Sequence, residues 1–503
     1  MNVDNCKVTM IAAGDKNSVA ADAQAAVVVP GDTIGLSAWM GRVKVEIGRM
    51  QQDCDPDAVH DLRVALRRCF SIADIHMALD PLDAWREMRQ AGRRLFKRLG
   101  ELRDTQVMKE WIGHLVGVQD PAGIKLAAHL GEREAQQRER ARKALGRFSL
   151  KKWERWQARL SGHSAPVPLE DPVVQQFALE RWQAAHELHR QALRNRSRIA
   201  FHRLRIGLKR FRYTVENFLP QRHEAWGGDL KLFQDMLGEL HDLHVLWRTA
   251  LHIGALSDGE VRSTWRARIE EESRARIQTY REKTVGQDSI WPVWSAGLLA
   301  GRALEQAAEA RIRIWASYRD PDFARTQDLA DVAMQLFDGL AREHIIAKGG
   351  TTDVRSALRA AAIMHNVRST AGRRKGGRSR YKEITRVEPP LGFSPNTYRV
   401  AALVVRSHRA AVRRPESRHL ARLTQEQNRA VQLAAAILCL ADALACRGEE
   451  RIRHVHVSRL TDAIVIFAAG YREGDPLARK LAAARYPLEV VCRAPIMIRT
   501  LQE

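Results

Sequence analysis

One ten-residue pattern occurs twice in this chain, and each copy is followed by the same second landmark. Val59-His60-Asp61-Leu62-Arg63-Val64-Ala65-Leu66-Arg67-Arg68 is matched by Phe201-His202-Arg203-Leu204-Arg205-Ile206-Gly207-Leu208-Lys209-Arg210. Downstream of each comes Leu-Gly-Glu-Leu and then an Asp, from Leu99 to Asp104 and from Leu237 to Asp242. The first landmarks lie 142 positions apart and the second 138. Two landmarks kept in order at nearly one spacing mark an internal duplication.

The texture around these landmarks is helical. From Thr33 to about Lys283, apolar residues recur at three- and four-residue spacing and strand alternation is missing. Pro56, Pro81, Pro121, Pro166, Pro168, Pro172 and Pro220 punctuate the pattern where helices begin or end. Ser161 to Pro172 reads as a linker between the two halves. Further on, helices are expected over Leu329–His344 and Val354–Val367, then a Gly- and Arg-rich loop over Gly372–Arg380, then more helix through Leu444. His454–Val457 and Ala463–Phe467 read as short strands. The expected fold is mainly α: two pseudo-symmetric helical bundles, then a helical domain with a small α+β end. The expected divisions are a flexible tail over 1–33, a duplicated domain over 34–285 with halves of about 34–160 and 173–285, a helical linker over 286–321, and a last domain over 322–503. A chain of 503 residues is too long for one core.

Composition narrows the partners. Hydrophobic residues make up 45% of the chain, which suits globular domains, and the formal net charge is +23. Such an excess calls for a negative partner: nucleic acid, an anionic membrane or a phosphate polymer. Cys6, Cys54, Cys69, Cys439, Cys446 and Cys492 are scattered without zinc-type spacing and suit a reducing compartment. The N-terminal residues lack a basic start followed by an apolar run, so no secretory signal is expected. The most apolar later stretch, Leu433–Ala445, is shorter than the ~20 residues a membrane span needs. A cytoplasmic protein without a membrane partner is expected.

Wound as helices, the two copies separate charge from apolar surface. His60, Arg63, Arg67 and Arg68 fall on one side, as do His202, Arg205, Lys209, Arg210 and Arg212; Leu62, Leu66, Leu204, Leu208 and Phe211 fall on the other. Arginine offers phosphate oxygens a rigid fork and lysine adds a mobile charge. A histidine among cations stays neutral near pH 7 yet still donates a hydrogen bond. Two such faces turned together would line a cationic channel, which fits a polymer of evenly spaced phosphates better than a small ligand. Arg93, Arg94 and Lys97 in the first half and Lys231 in the second add supporting charge. Glu101, Asp104, Glu239 and Asp242 read as structural partners of nearby arginines.

The two motifs, each followed by Leu-Gly-Glu-Leu-x-Asp, resemble the conserved-histidine α-helical domain, CHAD, over roughly residues 34–285. The resemblance implies two pseudo-symmetric bundles that bind inorganic polyphosphate in a basic central channel, in some members on polyphosphate granules. It implicates His60, Arg63, Arg67, Arg68, His202, Arg205, Lys209, Arg210 and Arg212. Many relatives pair this domain with a triphosphatase carrying Glu-x-Glu-x-Lys, and that motif is missing from this sequence.

Residues 322–503 resemble the C-terminal HD-type domain of the exopolyphosphatase and guanosine pentaphosphate phosphohydrolase family, through Leu358–Val367, Ser407-His408-Arg409 and Leu440-Ala441-Asp442-Ala443-Leu444. The His-Asp pair of a metal-dependent HD hydrolase is His365-Asn366 here, and asparagine is a weaker ligand for a hard cation than carboxylate. Where that family is His-rich, this chain has Arg373, Arg374, Lys375, Arg378 and Arg380, a second anion-binding candidate whose glycines turn backbone N–H groups toward an anion. His365 and Asp442 are expected to be buried structural groups. The function expected is non-catalytic polyphosphate binding, with no cofactor and no metal. The alternatives are a nucleic-acid binder, against which stands an aromatic share of only 6%, and a phosphohydrolase. Weak, salt-sensitive nucleic-acid binding is expected of any chain this basic.

Overall fold

The computed structural model describes residues 35–52, 55–164, 167–346, 351–368, 376–408, 423–445, 452–472 and 476–501. The tail 1–33, Cys6, Cys54, Cys446 and the loop residues Arg373, Arg374 and Lys375 lie outside them. Among the described residues there are seventeen helices and three strands. None of the helices is long and apolar enough to cross a membrane.

The first half contains α1 (Leu36–Gln52), α2 (Pro56–Leu79), α3 (Asp83–Leu115), α4 (Pro121–Gly146) and α5 (Leu150–Ser164). The second repeats the order with α6 (Pro172–Asn195), α7 (Arg198–Phe218), α8 (Pro220–His252), α9 (Gly259–Thr284) and a short α10 (Ile290–Ala296). Asp-Pro pairs set three of the starts. Asp55, Asp120 and Asp171 each accept a backbone N–H of the first turn at 2.7 Å, while Pro56, Pro121 and Pro172 follow where no N–H is needed.

The halves do not keep separate cores. One core takes Leu62, Leu66 and Trp85 from the first half together with Leu204, Phe211 and Phe233 from the second, and Trp291 and Trp294 of α10 insert into it. Another joins the far ends of the long helices: Met108, Trp111 and Leu115 of α3 pack with Leu243, Leu246 and Ala250 of α8. The duplicated pair is thus sealed along two seams.

Helix α11 (Gly301–Ser317) faces two ways. Leu304 and Ile314 pack on the first core, while Ile312 and Trp315 enter the C-terminal core. Arg311 pairs with Glu180 at 2.7 Å and lies over the Phe177 ring. The C-terminal core is built from α12 (Phe323–Arg342), α13 (Thr351–Met364), α14 (Gly377–Ile384), α15 (Pro395–Ser407), α16 (Gln425–Leu444) and α17 (Pro476–Cys492) around a small sheet. In that sheet β1 (Val455–Arg459) runs antiparallel to β2 (Ile464–Ala468), which runs parallel to β3 (Ile496–Thr500). The sequence pattern anticipates β1 and β2 but not β3, whose five residues follow Pro495 directly after a helix.

The Gly- and Arg-rich loop is shorter than the composition suggests. Arg378, Ser379 and Arg380 form the first turn of α14. Gly376 sits at φ +148, and a β-carbon on Gly377 would stand 2.3 Å from the Arg406 carbonyl of α15. This glycine pair therefore serves a turn and a close helix contact.

Candidate anion-binding site

Helices α2 and α7 bury their leucines and meet along the seam, which brings the two cationic faces together. The Arg67 guanidinium lies 5.6 Å from the centre of the Tyr213 ring. Arg68 donates to Asn217 Oδ1 at 3.1 Å and pairs with Glu216 at 3.2 Å. Glu216 also holds Arg212 at 3.0 Å, so one buried carboxylate answers a cation of each basic helix.

Four other cations form the centre: Arg63 and Arg67 of α2, and their counterparts Arg205 and Lys209 of α7. Burial, then the nearby charges of Arg205, Arg67 and Arg63, push Lys209 well below its ordinary pKa, and Asp242 opposes this only in part. Burial and Arg67 bring Arg63 down to about 10. Two aspartates answer this charge. Burial raises Asp104, against the pull of Arg63, Arg205 and Lys209. Burial likewise raises Asp242 to about 6, against Arg205 and Lys209 and with help from Asp104 and Glu239. Each aspartate feels Arg205 and Lys209 of α7, and Asp104 also feels Arg63 of α2, so the two halves form one electrostatic unit. Arg67 Nε, Arg205 Nε and His202 Nδ1 are buried without a hydrogen-bond partner among the described residues. Buried donors of this kind are stabilised by an acceptor.

The imidazoles are kept neutral. His202 lies 4.6 Å from His241 between ring centres. Burial, then Arg205 and Lys209, lower His202, and burial with Arg205 and His202 brings His241 down to about 4. The glycines of the two Leu-Gly-Glu-Leu segments lie against the arginines: Gly100 against Arg63 and Gly238 against Arg205. Glu101 and Glu239 pair with Arg98 and Arg276.

The remaining candidates are dispersed. His60 is half-buried on α2, and Arg210 is exposed on α7. Arg93 is exposed on α3; half-buried Lys231 holds the matching place on α8, in helical register with Gly238 and Asp242. Arg94 and Lys97 line a groove between α3, α4 and α5. Arg378 is exposed and Arg380 half-buried on α14. Sequence reasoning misses His241, Tyr213, Glu216 and the two glycines as site-builders. The signal for the glycines and His241 is present in the Leu-Gly-Glu-Leu-His-Asp run itself.

In the C-terminal core His365 and His408 are buried, with ring centres 6.1 Å apart. Their Nδ1 atoms lie 2.8 and 3.0 Å from the Ala362 and Val405 carbonyls. Asp442, half-buried rather than fully enclosed, pairs with Arg325 at 2.8 Å. Asn366 donates to Asp320 at 2.7 Å. Among the described residues no three His, Cys, Asp or Glu side chains are grouped to hold a metal ion.

Comparison with known proteins bears on the first region. The family model of the CHAD domain matches residues 42–251. Among solved structures, the chain is similar to the CHAD domain from the plant Ricinus communis, at 21% identity over 53% of this chain and 90% of that one, with a TM-score of 0.36. No curated protein matches the chain. The stretch that matches the CHAD model, residues 42–251, contains both basic helices and both Leu-Gly-Glu-Leu segments.

Proposed function

We propose that this protein binds inorganic polyphosphate between α2 and α7, without catalysis, in the cytoplasm and on polyphosphate granules. The observation that carries the reading is the quartet Arg63, Arg67, Arg205 and Lys209, in which burial first and the neighbouring cations second depress Arg63 and Lys209. A bound polyanion would relieve that repulsion and give acceptors to the Nε atoms of Arg67 and Arg205. Residues 322–503 are proposed to keep the outline of an HD-type domain without its chemistry. Asn366 and Asp442 are engaged with Asp320 and Arg325, which supports a structural role.

The test is binding of long-chain polyphosphate and of single-stranded DNA at two salt concentrations, to the native protein and to a variant with Arg63, Arg67, Arg205 and Lys209 changed to Ala. The reading expects polyphosphate affinity to fall by roughly a hundredfold or more in the variant, as several charge-assisted contacts go at once. Unchanged polyphosphate affinity in the variant, with a salt dependence as steep as that of DNA, would overturn it.

A further inference from the structure

A groove of about 1370 Å³ runs between α3, α4 and α5, on a flank of the first half. Nine arginines and lysines line it, against one carboxylate, Glu87. Arg98 and Lys143 are tied to neighbours on their own helices, Glu101 and Glu139, at 3.0 and 3.3 Å. Arg94, Lys97, Arg140, Arg147, Lys152 and Arg155 have no ion-pair partner among the described residues. Two half-buried aromatic side chains, Phe148 and Trp156, stand among these cations, both packed on the buried Trp153. The Trp156 indole is held by its N–H on Glu87 Oε2 at 3.2 Å.

We propose that this groove binds single-stranded nucleic acid. Bare polyphosphate has no use for an aromatic floor. A chain that alternates phosphates with flat bases uses both parts, since cations follow its backbone and aromatic rings take its bases. The groove also breaks the symmetry of the duplication. In chain order α9 and α10 stand where α4 and α5 do. But α9 sets five glutamates among its seven arginines and lysines, and α10 is short and turns Trp291 and Trp294 into the core. A site on one half alone is not a by-product of the repeated helices, and this proposal does not rest on the polyphosphate reading.

The experiment measures binding of a labelled oligothymidylate, an abasic deoxyribose-phosphate oligomer of equal length, and polyphosphate across a salt series. The proteins are the full chain, Arg140→Ala/Lys152→Ala/Arg155→Ala at exposed positions, Trp156→Leu, and the quadruple α2/α7 variant. We expect the triple variant to lose most oligothymidylate affinity and to lower the salt slope by about 3. Trp156→Leu, and equally the abasic oligomer on the unaltered chain, should weaken binding roughly tenfold without changing polyphosphate affinity. The quadruple variant should retain its oligothymidylate binding. The proposal is overturned if the triple variant binds oligothymidylate like the native chain. It is also overturned if the abasic oligomer binds as tightly as oligothymidylate, which would make the groove a surface for any phosphate polymer. The abasic comparison needs no altered protein, so it decides even if Trp156→Leu fails to fold.

Discussion

The guanidinium of Arg63 occupies the space in which a side chain at position 100 would begin: a β-carbon on Gly100 would stand 2.6 Å from Arg63 Nη1. At the matching place in the second half, Gly238 leaves more room, with Arg205 Nε at 3.8 Å. Gly100→Ala therefore displaces Arg63, whereas Gly238→Ala does not disturb Arg205. Both replace a helical glycine, which alone adds up to about 1 kcal/mol of stability. The expected result is two folded variants with undiminished melting temperature, of which only Gly100→Ala binds polyphosphate more weakly. Equal affinities would show that Arg63 need not hold this place.

Glu216 is the clasp between the halves. Its side chain is 4% exposed and pairs with Arg68 and Arg212, themselves 17% and 16% exposed. Glu216→Gln leaves two buried cations without their counter-charge, a loss of about 3–5 kcal/mol by analogy with other buried pairs. Thermal melts should show it. Saturating polyphosphate should restore more stability to this variant than to the native chain, because the ligand supplies the missing negative charge.

Asp242 makes binding depend on pH. Its folded-state pKa is raised to about 6 from 3.8, so the folded protein holds this proton at acidities where the unfolded chain has released it. That contribution to stability is complete below the ordinary value and is lost as pH rises through about 6. Below about 6 the site also loses a negative charge. Polyphosphate affinity should rise roughly tenfold between about pH 7.5 and 5.5, with proton uptake on binding. Asp242→Asn should bind tightly at the higher pH and flatten that slope. The slope it keeps comes from Lys209, Asp104, His202 and His241, the other groups at the site with displaced pKa values.

Asn366 donates to Asp320, and this partner explains why a carboxylate is disfavoured at position 366. Asp320 accepts from Asn366 Nδ2 at 2.7 Å, from the Asp322 N–H at 2.9 Å and from Thr326. Asn366→Asp would set two carboxylates in contact, and one of them must take a proton. The expected loss is on the order of 2 kcal/mol at neutral pH, shrinking as the pH falls below about 5. A melting temperature equal to that of the native chain at pH 7 would refute this account.

Much of this architecture could be read from residues alone, and the reasons are local. Asp55-Pro56, Asp120-Pro121 and Asp171-Pro172 announce helix starts because cap and proline act within one turn. His60 and Arg63 are legible beside His202 and Arg205 because duplication repeats them. What the sequence conceals depends on long-range packing. Arg68 and Arg212 are legible as cations, but Glu216, the carboxylate they share, is not. Arg140, Arg147 and Lys152 look like solvated helix faces, and only the approach of α3 toward α4 and α5 turns them into a groove. The second strand pairing also escapes the pattern, since β3 is joined to β2 only after α17 intervenes.

The shared cores have a consequence for how such a site changes. In a homodimer with a twofold axis, any substitution in the binding face arrives twice, once from each subunit. Here the two faces are sewn into one chain, so each residue varies alone. Arg67 can have a lysine, Lys209, at its matching position, and one flank can build a cationic groove with aromatic rings that its counterpart lacks. Fusion has turned a pair of equal partners into a molecule with a left and a right.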